Sequence, residues 1–169
     1  MNFQVCPLWQ RTILDDVYLN KDEIYIKAAL FTLKKAFVDV ICIVPNSRNY
    51  TARPIPYVTT ENYVRCLSQT SYLLAEYALR NNLVKIETPV EAFLEAAANY
   101  ELYYRNLAIT FHERVERDHE FPLRLRLENT RQINRLDKDF ILFTFANERT
   151  VISGEMSFVY ASQKEVKSE

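Results

Sequence analysis

Glycine is almost missing from this chain: one residue, Gly154, in 169. Phosphate-cradling loops, dinucleotide fingerprints and nucleophile elbows each need glycines at fixed spacing, because the backbone there turns sharply or approaches the ligand. Nucleotide-dependent chemistry is therefore not expected. Cysteine and histidine are scarce as well. Cys6, Cys42 and Cys66 stand far apart, form no Cys-x-x-Cys pair and are odd in number, so they read as reduced, mostly buried thiols rather than a disulfide framework. His112 and His119 belong to no Cys/His cluster, which leaves a structural zinc nothing to hold it, and no metal or other cofactor is expected. No run reaches the length of a membrane span, and no basic stretch followed by an apolar segment opens the chain. A cytoplasmic protein with no membrane partner is the expectation. The formal net charge is -1, with both signs scattered; nucleic acid would demand clustered Lys and Arg, so it is not an expected partner.

What the chain does have is apolar content, 49% of its residues, which suffices for a full core. One domain over residues 1–169 is expected, ordered from about 12 to 162 with a short tail at 163–169. Glu23 to Thr32 alternates, with Ile24, Ile26, Ala28 and Leu30 on one face, as a strand does. Phe37 to Val44 is β-branched and nearly all apolar, the pattern of a strand buried on both faces. Pro45 to Pro56 is proline- and asparagine-rich and reads as a loop.

A helix follows, marked more clearly than any other element. Thr59 or Thr60 can cap it, Glu61 lies in the first turn, Arg80 suits the last, and Asn81-Asn82 supplies the stop that glycine usually provides. Most of its circumference is apolar or small, so the helix is expected to be enclosed. One narrow polar stripe runs along it: Asn62, Arg65, Gln69, Tyr72 and Glu76. The stripe lines a substrate channel or a dimer seam, or marks the side that meets water. Arg65 meets an anionic substrate group or pairs with Glu61 or another nearby acid.

Thr88-Pro89 predicts a second helix, with proline at its first helical position, to about Tyr100. From Tyr100 to Arg117 the pattern allows strand or helix, and the tyrosines of YELYYR read as core. His112 and His119 read as surface residues. Leu123, Leu125 and Leu127 alternate with Arg124, Arg126 and Glu128, and two further strands, Phe140 to Ala146 and Thr150 to Ala161, flank a turn at 147–149. Three strands after the helices predict an antiparallel meander. The fold class is therefore α+β, with an antiparallel sheet wrapped around a long central helix.

The helix YVTTENYVRCLSQTSYLLAEYAL and the tail from FPLRLRL to SFVYA resemble the hotdog superfamily of thioester-handling proteins, and within it the fatty acyl-CoA thioesterase (FcoT-like) branch. The shared helix pattern is Cys-x-x-Gln-x-x-Tyr, here Cys66, Gln69 and Tyr72. The resemblance implies a hotdog fold, a homodimer or dimer of dimers joined at sheet edges, and a site at the subunit boundary. The implied substrate is an acyl-CoA or acyl-carrier-protein thioester, to be hydrolysed, dehydrated or, as is linked to this branch, modified by addition to an enoyl thioester.

The resemblance also assigns a site. The thioester carbonyl would sit at the N-terminus of the central helix, where backbone N–H groups lack helical partners. Tyr50, Thr59, Glu61 and Ser68 are the candidate catalytic residues. Tyr57, Thr60, Asn62, Arg65, Gln69 and Tyr72 are the candidates for binding substrate. Tyr50 matches the branch's tyrosine ahead of the helix, whereas Thr59 and Ser68 stand where the branch has asparagines. No histidine precedes His112, so the His-plus-acid machinery of hotdog dehydratases is not expected. The competing reading is a non-catalytic hotdog module that binds an acyl or aromatic ligand or serves in assembly.

Overall fold

In the computed structural model, which describes residues 3–6, 12–18, 20–32, 35–46, 55–86, 88–135, 138–147 and 152–163, these patterns resolve into one sheet and three α-helices among the described residues. In chain order they are β1 (Phe3–Cys6), α1 (Thr12–Val17), a 3-10 turn (Lys21–Glu23), β2 (Ile26–Thr32), β3 (Phe37–Cys42), α2 (Thr60–Arg80), α3 (Val90–Ala98), β4 (Tyr103–Phe111), β5 (Phe121–Arg135), β6 (Lys138–Asn147) and β7 (Ile152–Gln163). The strand order is β1-β2-β3-β5-β6-β7-β4, with every pair antiparallel. Helix α2 packs against β3 and β5, with α1 and α3 beside it. The architecture is the expected α+β hotdog arrangement, a sheet around a long central helix, and β5-β6-β7 is the expected meander.

Why a helix so rich in hydroxyls can sit in the core is visible in its own hydrogen bonds. Ser68 donates to the Val64 carbonyl (2.8 Å), Thr70 to Cys66 (2.7 Å) and Ser71 to Ser68 (2.8 Å). Each hydroxyl is satisfied within the helix and brings no unmet demand to the sheet. Against it lie Val38, Val40 and Cys42 of β3, and Phe121, Leu123 and Leu125 of β5, all buried. Near α3 the core is aromatic: Phe93, Phe143, Phe158 and Tyr160 are fully enclosed, with the Phe143 and Phe158 rings 5.2 Å apart.

Four local expectations change. β3 is buried on one face only, since Phe37, Asp39 and Ile41 alternate as half-exposed residues. In β2 the pairing shifts between Ile26 and Ala28. This bulge turns Ala28 outward and Phe31 into the core, because one extra residue swaps every later side chain to the other face. Pro89 is the residue before α3 rather than its first helical position. Finally, the stretch after Tyr100 is strand, and its tyrosines are not core: Tyr100, Tyr103 and Tyr104 are exposed along with Leu107 and Phe111.

The one glycine has a steric reason. Gly154 pairs with Ile109 of β4, and a Cβ there would stand 1.9 Å from the Ala108 carbonyl oxygen. No other residue lets β4 lie this close to β7.

Candidate functional site

The first turn of α2 is held by the chain on both sides of it. Val58 N–H donates to the Val115 carbonyl and Arg117 N–H to the Pro56 carbonyl (2.8 and 2.9 Å), so the segment entering the helix is pinned to the segment leaving β4. Thr59 caps the helix. Asn62, three residues on, reaches back so that its Oδ1 accepts from the Thr59 N–H (3.1 Å) and hydroxyl (2.9 Å). Arg117, only 5% exposed, donates to the same oxygen (3.2 Å) and to the carbonyls of Tyr57 and Pro45. The helical ladder starts with Tyr63 N–H on the Thr59 carbonyl, which leaves the N–H groups of Thr60 and Glu61 ahead of it as oriented donors.

Two clefts flank this turn, and Thr60 lines both. The larger, about 690 Å³, runs along α2 past Glu61, Arg65, Ser68 and Tyr72 and is walled opposite by Tyr18 and Tyr104. Its volume falls in the range of small-molecule sites. The smaller, about 560 Å³, lies on the far side of the turn, between Tyr57, Thr59, Phe111, His112 and Arg114. Arg114 stands over the Tyr57 ring at 4.8 Å, and His112 Nε2 meets the Ser153 hydroxyl at 2.7 Å.

Two carboxylates, Glu23 and Glu61, and one guanidinium, Arg65, line the larger cleft. Arg65 forms an ion pair with Glu23 at 2.8 Å and lies over the Tyr25 ring; the acid is Glu23, not Glu61. Glu61 is exposed at the mouth. The inner wall is phenolic. Tyr104 donates to the Tyr72 hydroxyl at 2.9 Å, with Ser68 beside Tyr104 and Tyr18 facing the Gln69 amide. Burial pushes the phenols of Tyr18, Tyr72 and Tyr104 upward, and their mutual proximity pushes those of Tyr18 and Tyr72 further. All three stay neutral at physiological pH.

Among the residues expected from sequence, Thr60, Glu61, Arg65, Ser68 and Tyr72 share the larger cleft, while Tyr57, Thr59 and again Thr60 line the smaller. Asn62 and Gln69 are turned into the protein. Gln69, with no exposed surface, accepts from the Tyr25 N–H (2.9 Å) and donates to the Glu23 carbonyl (2.6 Å), fixing the turn ahead of β2. Tyr50 lies outside the described residues. Sequence reasoning missed Tyr18, Tyr104 and Arg117. The YELYYR run was a signal for Tyr104, but its reading as core pointed the wrong way; Tyr18 and Arg117 carry no local pattern that singles them out. Among the described residues no group of three His, Cys, Asp or Glu stands close enough to hold a metal ion, and no helix is long and apolar enough to cross a membrane.

No family model matches the chain, and no curated protein matches it. Solved structures do. A hypothetical thioesterase with coenzyme A from Streptococcus pneumoniae TIGR4 is 12% identical, with 92% of this chain and 99% of that one covered and a TM-score of 0.48. The 4-hydroxybenzoyl-CoA thioesterase from Pseudomonas sp. strain CBS-3 is 8% identical over 78% and 88% of the two chains, with a TM-score of 0.43. A thioesterase-superfamily protein from Jannaschia sp. CCS1 is 14% identical over 75% and 70%, with a TM-score of 0.38.

Proposed function

We propose that this protein processes acyl thioesters, with the thioester carbonyl at the first turn of α2. The observation that carries the reading is the position of Thr60: it starts the helix, and it lines both clefts. A ligand spanning the turn would lay its acyl arm along Ser68 and Tyr72, and its pantetheine arm in the smaller cleft beside Thr59, Phe111 and His112. Its carbonyl would then face the N–H groups of Thr60 and Glu61, whose fixed orientation favours the negative charge that develops on oxygen.

In the hydrolytic version, water adds to the carbonyl carbon, the C–S bond breaks, and a carboxylic acid and a thiol leave. Glu61 is the carboxylate at the mouth and the candidate to take the water's proton. Thr59 gives its own proton to Asn62 and so offers lone pairs to water or substrate, with Tyr50 proposed to share this task. Ser68 spends its proton on Val64 and is proposed as an acceptor on the acyl side rather than a nucleophile. A second copy of the chain, paired along β4, would complete both clefts, because Tyr104 and Phe111 lie on that strand.

Incubation with CoA and carrier-protein thioesters of graded chain length, followed by mass, tests the activity. Thr60→Pro tests the carbonyl site. Proline fits the first helical position and Thr59 is already extended (φ -87°, ψ 169°), so the helix is kept while one N–H is deleted. Loss of such a donor typically lowers kcat by about a hundredfold. An unchanged rate would place the carbonyl elsewhere, and absence of turnover on every thioester would favour the non-catalytic module.

A further inference from the structure

Arg117 is a buried cation that the chemistry above does not use. Only 5% of it is exposed, and a guanidinium withdrawn that far from water must have its donors met. They reach oxygens on three segments: the Pro45 carbonyl beyond β3 (3.3 Å), the Tyr57 carbonyl ahead of α2 (3.2 Å) and Asn62 Oδ1 within α2 (3.2 Å). A planar fork of N–H groups can span such a spread, whereas a lysine ammonium presents its donors from one point. The backbone beside it is anchored as well. Asp118 takes a positive φ (60°) that few non-glycine residues adopt. Its N–H donates to the Val44 carbonyl (2.9 Å), and its carboxylate accepts from the Asn46 N–H (3.0 Å).

Joining these segments does not by itself require a charge. Val58 N–H on the Val115 carbonyl and Arg117 N–H on the Pro56 carbonyl already hold the approach to α2 against the chain leaving β4. What the guanidinium adds is its contact with Asn62. That one side-chain oxygen receives the Thr59 N–H (3.1 Å), the Thr59 hydroxyl (2.9 Å) and Arg117. The first two bonds come from within the turn and move with it. Arg117 comes from outside, and so refers the turn to the rest of the protein. Without that third bond the cap is held only by the turn it is meant to hold, and a helix end with a loosened cap frays.

From this geometry, and resting on the thioester reading above, we infer that Arg117 is a positioning residue for the carbonyl site: it fixes the Asn62 cap and, through it, the direction of the Thr60 and Glu61 N–H groups. It acts through Asn62 rather than on substrate, since it lines neither cleft. Donors stabilise a developing oxyanion when their direction is set before the charge appears. A cap that wanders therefore loses rate at the chemical step, while the cleft walls that bind the substrate's two arms are kept. Nothing local in the sequence marks this role. Arg117 stands 55 residues from Asn62, one charged residue among several in HERVERDHE.

The test is steady-state kinetics on the CoA or carrier-protein thioester that the wild type turns over fastest. Arg117→Gln and Arg117→Lys are each expected to lower kcat about tenfold with KM near the wild-type value, because only the transition state feels misaimed donors. Arg117→Lys keeps the charge and the buried stem, so it carries the comparison if circular dichroism shows the glutamine variant unfolded. Phe93→Leu, in the aromatic core and lining neither cleft, reports what lowered stability does alone and should keep kcat. The sharpest comparison uses Thr60→Pro. If Arg117 works by aiming the N–H groups of that turn, its substitution in the Thr60→Pro background costs about threefold or less, since the two changes share one route. A wild-type kcat in an Arg117 variant, an undiminished tenfold loss on top of Thr60→Pro, or an equal loss in Phe93→Leu overturns the positioning role and leaves the thioester reading standing. No turnover of any thioester by the wild type overturns both.

Discussion

Polar residues on α2 illustrate how far a single position can be read. The stripe Asn62, Arg65, Gln69, Tyr72 and Glu76 is visible in the sequence as polarity at helical spacing, but where each member points depends on segments far along the chain. Gln69 is fixed by Tyr25 and Glu23, and Asn62 by Arg117. No local pattern encodes those meetings, so a residue expected to touch substrate and a residue that holds backbone look alike. Glu76 shows the same ambiguity with a measurable consequence. It is buried beside Arg80, which accounts for their 2.9 Å ion pair, yet desolvation outweighs that pair and, with Asp16 adding to it, raises the carboxyl pKa. A native pKa above the unfolded one gives stability that is present below the unfolded carboxylate range and lost as pH rises through the native value. Glu76→Gln has no such loss. In urea unfolding its stability relative to wild type should therefore increase from about pH 4 to about pH 7; a difference that is flat or shrinks over that range would contradict the desolvation account.

Elements were legible where their pattern was long and local. Helix α2 follows its capping and stop residues closely: Thr59 caps it, it ends at Arg80, and Asn82 takes the positive φ (51°) that glycine would usually supply. The alternating β5 and the strands β6 and β7 were equally plain. Two features escaped because neighbours decide them. The β2 bulge is set by pairing with β3, and β4 is strand because β7 lies beside it. Gly154 makes that last contact possible, so the chain's one glycine stands where a Cβ would meet the backbone of the neighbouring strand. Gly154→Ala must push β4 away from β7 and is expected to cost roughly 2–4 kcal/mol, somewhat beyond ordinary overpacking because the obstacle is backbone. Since β4 also carries Tyr104, ligand affinity in the larger cleft should fall with it. A variant with wild-type stability would mean that the sheet can relax at this pair.

At the scale of the whole molecule, β4 presents an apolar edge outward. It ends the sheet, and Tyr103, Tyr104, Leu107 and Phe111 are exposed along it. Natural proteins cover or charge such an edge, because its unpaired backbone groups and apolar side chains recruit another strand. We expect a second copy there, so Leu107→Asp should shift the protein from dimer to monomer in analytical ultracentrifugation; a wild type that is already monomeric at micromolar concentration would rule the edge out as a self-interface.

The first turn of α2, proposed above to bind a thioester carbonyl, can be tested apart from oligomeric state and substrate preference. A crystal structure with a non-hydrolysable analogue bound, in which a thioether ketone joins pantetheine to a decanoyl chain, tests it directly. The ketone oxygen is expected about 3 Å from the backbone nitrogen of Thr60 or Glu61, with the acyl chain running toward Tyr72. A ketone oxygen bound away from that turn, with both N–H groups facing water, would contradict it.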